Sequence, residues 1–523
     1  MKSQTNPPAS LDGTLNNGDD ATLHEQSRLL DLSPHNSSHG TIKQSNSSSS
    51  SSLVSNGDIE AGEAQEAKPW GTLSILLLGV FIAQLDSSII LATYGHIASE
   101  FHELESGSWL VSAYIIAQCA VQPLYGKLSD IYGRRSCLLT AYVLFTVGTM
   151  GIAQARSLWE IIAWRAVQGA GGAGMVSVVS IIVTDIVPKH EVPVILSYVN
   201  VMQTMGRSCG GVVGGLLTQT VGWRWAFLVQ APPMLIAIVL VLYTLKLPSA
   251  ETTESKWLKL RRVDFIGAFF LTTAILAICL LLDLGGRQHM QWNSSWMIGI
   301  FIAGLVASIA FITTANFITE PIFPLHLLAH WVVVSNYTVT LLGVATQISL
   351  MTAVPLYFQA TANVSTAVAG LYLLPAFVGN TLGGLLTGYW IRKTGRYKIT
   401  TILGPILALG CMVLVAFTWN GYTSPMESIA TLPGGFAMGI ISSSTFIGLI
   451  AGLDEKYMAI AASGIYLAFN IGGVVGVSAG NAVSQRTIRS SLERDLRGYE
   501  NREKVLCDPI LREANITDGN TRL

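Results

Sequence analysis

The chain has 523 residues, of which 50% are hydrophobic and only 12% are charged, and its formal net charge is −1. Soluble domains carry roughly 25% charged residues, so this composition excludes an ordinary soluble protein. The balanced charge gives no sign of a nucleic-acid partner. The 6 cysteines are scattered at spacings that fit neither a disulfide framework nor a metal site, so we expect no metal ion and no cofactor.

Thirteen apolar stretches of membrane-spanning length follow one another along the chain. A spanning helix needs about 20 mostly apolar residues, and the bilayer core admits only helices or closed barrels. We therefore predict an all-α polytopic membrane protein. The predicted spans are 70–93, 108–126, 136–155, 158–183, 196–220, 225–245, 263–283, 295–315, 333–355, 367–391, 399–419, 428–451 and 457–484.

The chain before the first span, residues 1–69, is polar and serine-rich, which predicts a disordered cytosolic tail. No signal peptide is visible, so the first span is expected to direct membrane insertion. The remaining divisions are an N-terminal six-helix half (70–245), a linker with two extra spans (246–332), a C-terminal half with five visible spans (333–484) and a basic polar tail (485–523). Residues 484–498 predict a basic amphipathic helix on the membrane surface, and a solvated tail is the alternative.

The loops between the spans differ in charge. If the N-terminus is cytosolic, the cytosolic loops hold fourteen Lys and Arg residues and the loops on the other side hold three. Because Lys and Arg accumulate in cytosolic loops, this orientation is predicted. It places the glycosylation sequon at Asn293 on the non-cytosolic side.

The loop after span two combines glycines with charges. Gly126 and Gly133 permit a tight turn and a close helix approach, and Asp130 can face helix N-terminal dipoles. With Arg134 and Arg135, these residues predict a charge network that locks or releases the cytosolic side. A basic turn that only sets topology is the alternative. A similar glycine-flanked basic turn, 388–398, follows span ten and indicates an internal repeat.

Three charged residues fall deep inside predicted spans: Asp86 in span one, Arg165 in span four and Arg207 in span five. Charges in lipid are costly, so such residues face a cavity or one another and mark transport sites. Asp86 is our candidate proton or cation site, coupled to the two arginines, and a purely structural ion pair with either arginine is the alternative. Polar residues at mid-span depth are candidates for cavity lining, with interhelical hydrogen bonding as the alternative. They are Tyr198, Asn200, Gln203, Gln347, Asn380 and Asn470.

No catalytic constellation and no phosphate-binding loop is recognisable in the sequence. We therefore predict that the chain is not an enzyme and that an ion gradient, rather than ATP, drives its function.

Two further motifs give the chain a family resemblance. The loop Gly126–Arg135, together with Arg165–Gly171 (Arg-x-x-Gln-Gly-x-Gly) in span four, resembles the major facilitator superfamily of transporters. Leu85–Ile89 (Leu-Asp-Ser-Ser-Ile) in span one is similar to a motif of the proton antiporters with fourteen spans. The resemblance implies two six-helix halves around a midplane site and links Arg165 to proton coupling. Thirteen spans are visible where that group has fourteen.

Span five contains a glycine series that resembles the antiporter motif Gly-x-x-x-Gly-Pro-x-x-Gly-Gly. The matching residues are Gly206, Gly210, Gly214 and Gly215. Gly211 stands where the family has proline, which departs from the kinked, sealed helix that the motif implies.

Within the fourteen-span group, the chain is most similar to fungal vacuolar basic amino acid transporters. The similarity rests on Gly206–Ser208, on Ser478–Asn481 running into Ser484–Arg489, and on the tail. It implies proton-coupled antiport of lysine, arginine and histidine into the vacuole, so the expected partners are a cationic small molecule and protons. The alternatives are a plasma-membrane multidrug or toxin exporter, a siderophore importer, and a non-transporting sensor or scaffold.

The N-terminal tail contains a short pattern typical of sorting signals. Glu25, Leu29 and Leu30 fit an acidic dileucine sorting signal, which predicts a sorting adaptor as partner and delivery to the vacuole. A chance match to this short pattern is the alternative.

Overall fold

The structure is a computed structural model that describes residues 70–103, 106–245, 263–286, 293–318, 321–362, 364, 366–419, 421 and 425–495. The predicted N-terminal tail with Glu25, Leu29 and Leu30, and the tail after residue 495, lie outside the described residues. The α-helices are α1 (Trp70–Glu100), α2 (Trp109–Tyr132), α3 (Arg134–Gln154), α4 (Leu158–Ile186), α5 (Val192–Thr220), α6 (Trp223–Leu228), α7 (Ala231–Thr244), α8 (Phe265–Gly286), α9 (Ser295–Phe317), α10 (His326–Ala329), α11 (Trp331–Ala362), α12 (Thr366–Leu371), α13 (Leu374–Thr394), α14 (Lys398–Thr418), α15 (Leu432–Gly452) and α16 (Met458–Asp495).

The all-α polytopic prediction is confirmed. Among the described residues, eleven helices are long and apolar enough to cross a membrane. Two further predicted spans, α2 and α5, are 24 and 29 residues long and are more polar. Their polar side chains have a structural reason, because these two helices contact the C-terminal half of the bundle rather than lipid alone.

Two predicted spans are broken, and one predicted separate helix is continuous with its span. Span six is broken into α6 and α7, and span ten into α12 and α13; in both cases the second helix begins with proline in its first turn. Proline is favoured there because the first-turn N–H groups have no helical acceptor. The predicted surface helix at 484–498 is not separate from span thirteen, since α16 runs without a break to Asp495.

The two halves repeat one packing scheme. In the N-terminal half, α5 packs on α1, while α2 and α3 both pack on α4. In the C-terminal half, α16 packs on α11, while α13 and α14 both pack on α15. This correspondence is what two parallel repeats produce. Between the halves, α5 contacts α13 and α2 contacts α16.

The two extra helices form a hairpin, α8–α9, beside the bundle. α8 packs on α2 and on α16, so it lies against both halves. Its polar links are to α2: Thr272 Oγ1 donates to the Ala120 carbonyl at 3.2 Å, and Ser112 Oγ donates to Asp283 Oδ1 at 2.9 Å. Buried Cys119 and Cys279 pack together at the same contact.

The halves are tightly joined at the end of the bundle that carries Arg134, Glu191 and Arg392, which we call the basic end and which corresponds to the predicted cytosolic side. A Cβ on Gly126 would lie 2.5 Å from Ser463 Oγ of α16. Across the other interface, a Cβ on Gly388 would lie 2.7 Å from the Pro193 carbonyl of α5. Apolar side chains from both halves form one buried cluster there: Leu73, Ile181, Val183, Val187, Val192, Ile195, Leu196, Phe446, Ala459, Ala462 and Ile465. The described conformation is therefore closed at the basic end.

Candidate functional site

A buried ion pair lies in the middle of the N-terminal half. Arg165 Nη1 of α4 is 2.6 Å from Asp86 Oδ2 of α1, and the two side chains are 1% and 0% exposed. Of the partners that the sequence left open for Asp86, the structure brings Arg165 and not Arg207 to the carboxylate. Removing two charges from water is costly, and good geometry with further hydrogen bonds is required to offset it.

The remaining hydrogen bonds to the Asp86 carboxylate come from Gln168 of α4 and from Gln230 at the α6–α7 junction. Gln168 Nε2 donates to Asp86 Oδ1 at 3.0 Å and to Thr149 Oγ1 of α3 at 2.8 Å. Gln230 Nε2, just before α7, donates to the same carboxylate oxygen at 3.2 Å. The carboxylate thus joins α1, α4 and the α6–α7 junction.

The guanidinium of Arg165 is held as firmly as its partner. Its Nε donates to the Leu110 carbonyl of α2 at 3.0 Å, and Nη1 also donates to Gln168 Oε1 at 2.6 Å. Its Cζ lies 4.4 Å from the centroid of the Tyr114 ring. Because Leu110 and Tyr114 belong to α2, the cluster is directly connected to a helix that contacts the C-terminal half.

Sequence reasoning did not single out Gln230, Thr149 or Tyr114. A usable signal exists for Gln230, which stands immediately before Ala231-Pro-Pro within an apolar run. A proline-started helix inside a span implies a break, and a polar side chain at a break in lipid needs a partner. Thr149 and Tyr114 carry no comparable signal.

The glycine and arginine loop after α2 forms a network at the basic end. Gly133 ends α2 with φ +87°, a conformation that side chains with a Cβ rarely adopt. Arg134 pairs with Asp130 one turn earlier and donates from Nε to Asp185 Oδ2 of α4 at 3.0 Å. Arg135 donates to the Leu242 carbonyl of α7. These contacts tie α2, α3, α4 and α7 together.

The glycines of α5 allow close packing against α1. A Cβ on Gly206 would lie 2.5 Å from the Phe81 carbonyl oxygen, and one on Gly210 would lie 2.3 Å from the Leu85 carbonyl oxygen. Gly214 is opposite Ile89, at 3.1 Å. Gly215 has open space around its Cβ position, so it takes no part in this contact.

A cavity lies between the two halves. Its lining residues come from α5, α11, α15 and α16: Leu196, Val199, Asn200, Gln203, Thr340, Ser442, Thr445, Phe446, Ile465, Tyr466 and Phe469. The space between them, including the part continuous with solvent, is ≈ 460 Å³.

The six predicted cavity residues occupy different places. Asn200 and Gln203 line this cavity. Asn380 accepts from Asn200 Nδ2 at 2.9 Å and so bridges α13 and α5. Asn470 Nδ2 donates to Gln122 Oε1 at 3.3 Å and bridges α16 and α2.

The other two of the six lie away from the cavity lining. Tyr198 is 37% exposed, because it lies on another face of α5 from Asn200. Gln347 is buried within the C-terminal half, near Gly434 of α15.

Arg207 lies on the cavity side of α5. Its Nε donates to Gln84 Oε1 of α1 at 2.7 Å, and its Cζ is 5.2 Å from the centroid of the Phe469 ring. Phe469 belongs to α16 and is one of the lining residues, so the arginine reaches across the interface between the halves.

The sequence and the fold both match those of known proteins. Residues 76–477 match the sequence model of the Major Facilitator Superfamily. The chain belongs to that superfamily. Its fold also resembles the crystal structure of the human organic anion transporter MFSD10 (TETRAN), with a TM-score of 0.56 and 16% identity over 79% of this chain and 92% of that one.

Fungal proteins are similar in sequence over most of the length of this chain. The vacuolar membrane amino acid uptake transporter fnx2 of Schizosaccharomyces pombe is 34% identical over 81% of this chain and 73% of its own length. The multidrug resistance protein fnx1 of the same yeast is 32% identical over 83% of this chain and 81% of its own. Vacuolar basic amino acid transporter 2 of Saccharomyces cerevisiae is 28% identical over 76% of this chain and 86% of its own. The chain is therefore a multi-span membrane transporter similar to vacuolar amino acid transporters and to a multidrug resistance protein.

Proposed function

We propose that the chain is a proton antiporter that moves basic amino acids into the vacuole across the vacuolar membrane. Two relatives support the cargo and the membrane: a vacuolar amino acid uptake transporter and a vacuolar basic amino acid transporter. The vacuole is more acidic than the cytosol, so the movement of protons out of it can drive the import of the cargo.

The observation that carries the proposal is the buried cluster around Asp86. A carboxylate at mid-span depth, fully buried and paired with Arg165 at 2.6 Å, is a functional site by default in a membrane transporter. Protonation of Asp86 removes the negative charge that Arg165 pairs with. The guanidinium then holds only the Leu110 carbonyl, Gln168 and the Tyr114 ring, and two of these contacts belong to α2.

The contacts of α2 connect the Asp86 and Arg165 cluster to the interface between the two halves, which must open and close during alternating access. α2 contacts α16 of the other half, and Gly126 of α2 packs against Ser463 at the closed basic end. A charge change at Asp86 and Arg165 is therefore expected to affect the interface between α2 and α16. The contacts of Arg134 and Asp130 lie within the N-terminal half, near the same end of α2 as Gly126. Since Asp86 is fully buried in this conformation, proton entry and exit require rearrangement of the surrounding helices.

The proposal is tested with the purified full chain in proteoliposomes. An imposed pH gradient should drive uptake of labelled lysine in the wild type. Asp86→Asn should lose this pH-driven uptake while it retains exchange of labelled against unlabelled lysine, which needs no net proton movement.

Glu100→Gln is the matched control. Glu100 lies on the same helix and is also paired with an arginine, Arg224 at 2.9 Å, but both side chains are about 40% exposed. It should behave like the wild type. Retention of full pH-driven uptake by Asp86→Asn would contradict the role of this carboxylate.

A second candidate function is export of drugs or toxins at the plasma membrane. The similarity to the multidrug resistance protein fnx1 favours it. The two functions separate by location and by cargo. A tagged chain found at the cell surface, together with drug sensitivity on its deletion and no vacuolar amino acid uptake, would select the exporter.

A further inference from the structure

Arg207 is an intramembrane charge that the proton cluster does not use. It lies four residues after Gln203 and seven after Asn200 on α5, so all three residues share one face of the helix. Both of the other residues line the cavity, and the guanidinium of Arg207 lies over Phe469, which also lines it. The side chain is half-buried. Arg207 therefore borders the cavity one turn from Gln203.

The positive charge of Arg207 has no counter-ion in the described part of the chain. Arg165 is neutralised by Asp86, whereas the contacts of Arg207 are the neutral oxygen of Gln84 and the ring of Phe469. The residues that line the cavity include no aspartate or glutamate. An arginine at this depth is costly unless a carboxylate or a polar cavity compensates it.

From this arrangement we infer that Arg207 binds the carboxylate of the transported molecule. Nε is engaged by Gln84, which fixes the plane of the guanidinium and leaves the two terminal nitrogens as donors. Guanidinium groups bind carboxylates through paired hydrogen bonds with matched geometry. The inference rests on the proposed function and adds a requirement to it: the cargo must carry a carboxylate, as an amino acid does.

The same charge sets the orientation of a basic amino acid. Its side-chain cation is repelled by Arg207 and is expected to lie away from it, where Asn200, Thr340 and Thr445 offer neutral oxygen acceptors. A diamine or a cationic drug, which has no carboxylate, meets an unpaired positive charge instead. The cavity thus selects against cations that are not amino acids.

The experiment measures equilibrium binding to the purified full chain in lipid nanodiscs. The ligands are lysine, lysinamide and cadaverine, which differ at the carboxylate alone, and the matched leucine, leucinamide and isoamylamine. Charge-assisted hydrogen bonds contribute about 1.5–3 kcal/mol, so the free acid should bind at least about 10-fold more tightly than its amide or amine. Equal affinity for acid and amide in both series, or no binding of any acid, would overturn the inference.

Variants assign the preference to one residue. Arg207→Gln should abolish the difference between acid and amide, and Arg207→Lys should keep part of it. Arg224→Gln, which removes an exposed arginine of the same half, should leave it intact. Persistence of the acid preference in Arg207→Gln would assign the carboxylate to another group and overturn the inference.

The ligand series also separates this inference from the proposed function. Acid preference in the leucine series without lysine binding would retain the role of Arg207 and reject basic amino acids as cargo. Acid preference in the lysine series without proton-driven uptake would retain the role of Arg207 and reject proton antiport.

Discussion

Removing one member of the buried ion pair should destabilise the bundle far more than removing one member of an exposed pair on the same helix. Asp86 and Arg165 are 0% and 1% exposed, whereas Glu100 and Arg224 are 39% and 42% exposed. Loss of one partner of a buried pair costs about 3–5 kcal/mol, because the other charge is left uncompensated. An exposed pair contributes about 0–1 kcal/mol. Asp86→Asn should therefore melt well below Glu100→Gln.

The loss of stability in Asp86→Asn has a specific cause, which a second substitution can test. Arg165 would remain charged among the Leu110 carbonyl, Gln168 and the Tyr114 ring. Replacing both charges of a buried pair with residues of similar volume is often neutral. Asp86→Asn combined with Arg165→Met should therefore be more stable than Asp86→Asn alone, although it should remain inactive in proton-driven uptake.

The assay is thermal unfolding of the purified full chain and its variants in one detergent, followed by intrinsic tryptophan fluorescence. The expected order of melting temperature is wild type and Glu100→Gln highest, the double variant next and Asp86→Asn lowest. Equal melting temperatures for Asp86→Asn and Glu100→Gln would refute the reasoning, because the buried carboxylate of Asp86 would then contribute no more to stability than the exposed carboxylate of Glu100.

Three further predictions follow from contacts and exposure. Gly210→Val should lower the melting temperature because its Cβ would lie 2.3 Å from the Leu85 carbonyl oxygen, whereas Gly215→Val, with open space, should not; equal effects would contradict the α1–α5 packing. Gly126→Val should push α2 away from α16 and lengthen spin-label distances between the halves at the basic end; unchanged distances would argue against a close contact there. Asn293 is exposed, and a glycan on it, removable by endoglycosidase and absent from Asn293→Gln, would confirm the predicted orientation.

Length and hydropathy were sufficient to predict the helices but not their breaks. A run of apolar residues reads as one span, yet Pro232 and Pro375 begin new helices inside such runs. Proline in the first turn was a visible signal at both places. The break before α7 is what brings Gln230 to Asp86, so the missed boundary and the missed site residue have the same cause.

The contacts between helices were predictable only where a physical cost demanded a partner. A charged Asp86 in lipid requires one, and two arginines at mid-span depth were the available choices, of which Arg165 is the one that pairs. A neutral polar residue does not require one particular partner, so its contacts could not be predicted in this way. Tyr198 and Asn200 are two residues apart on α5, and only the positions of the neighbouring helices decide which of them meets the cavity.

The central claim is proton-driven import into the vacuole, and uptake into isolated vacuolar vesicles tests it most directly. Vesicles with and without this chain are energised with ATP, and the uptake of labelled lysine, arginine and histidine is followed with and without a proton uncoupler. The proposal predicts uptake that depends on the chain and is abolished by the uncoupler. Equal uptake with and without the chain, while the folded protein is present in the vesicle membrane, would contradict it.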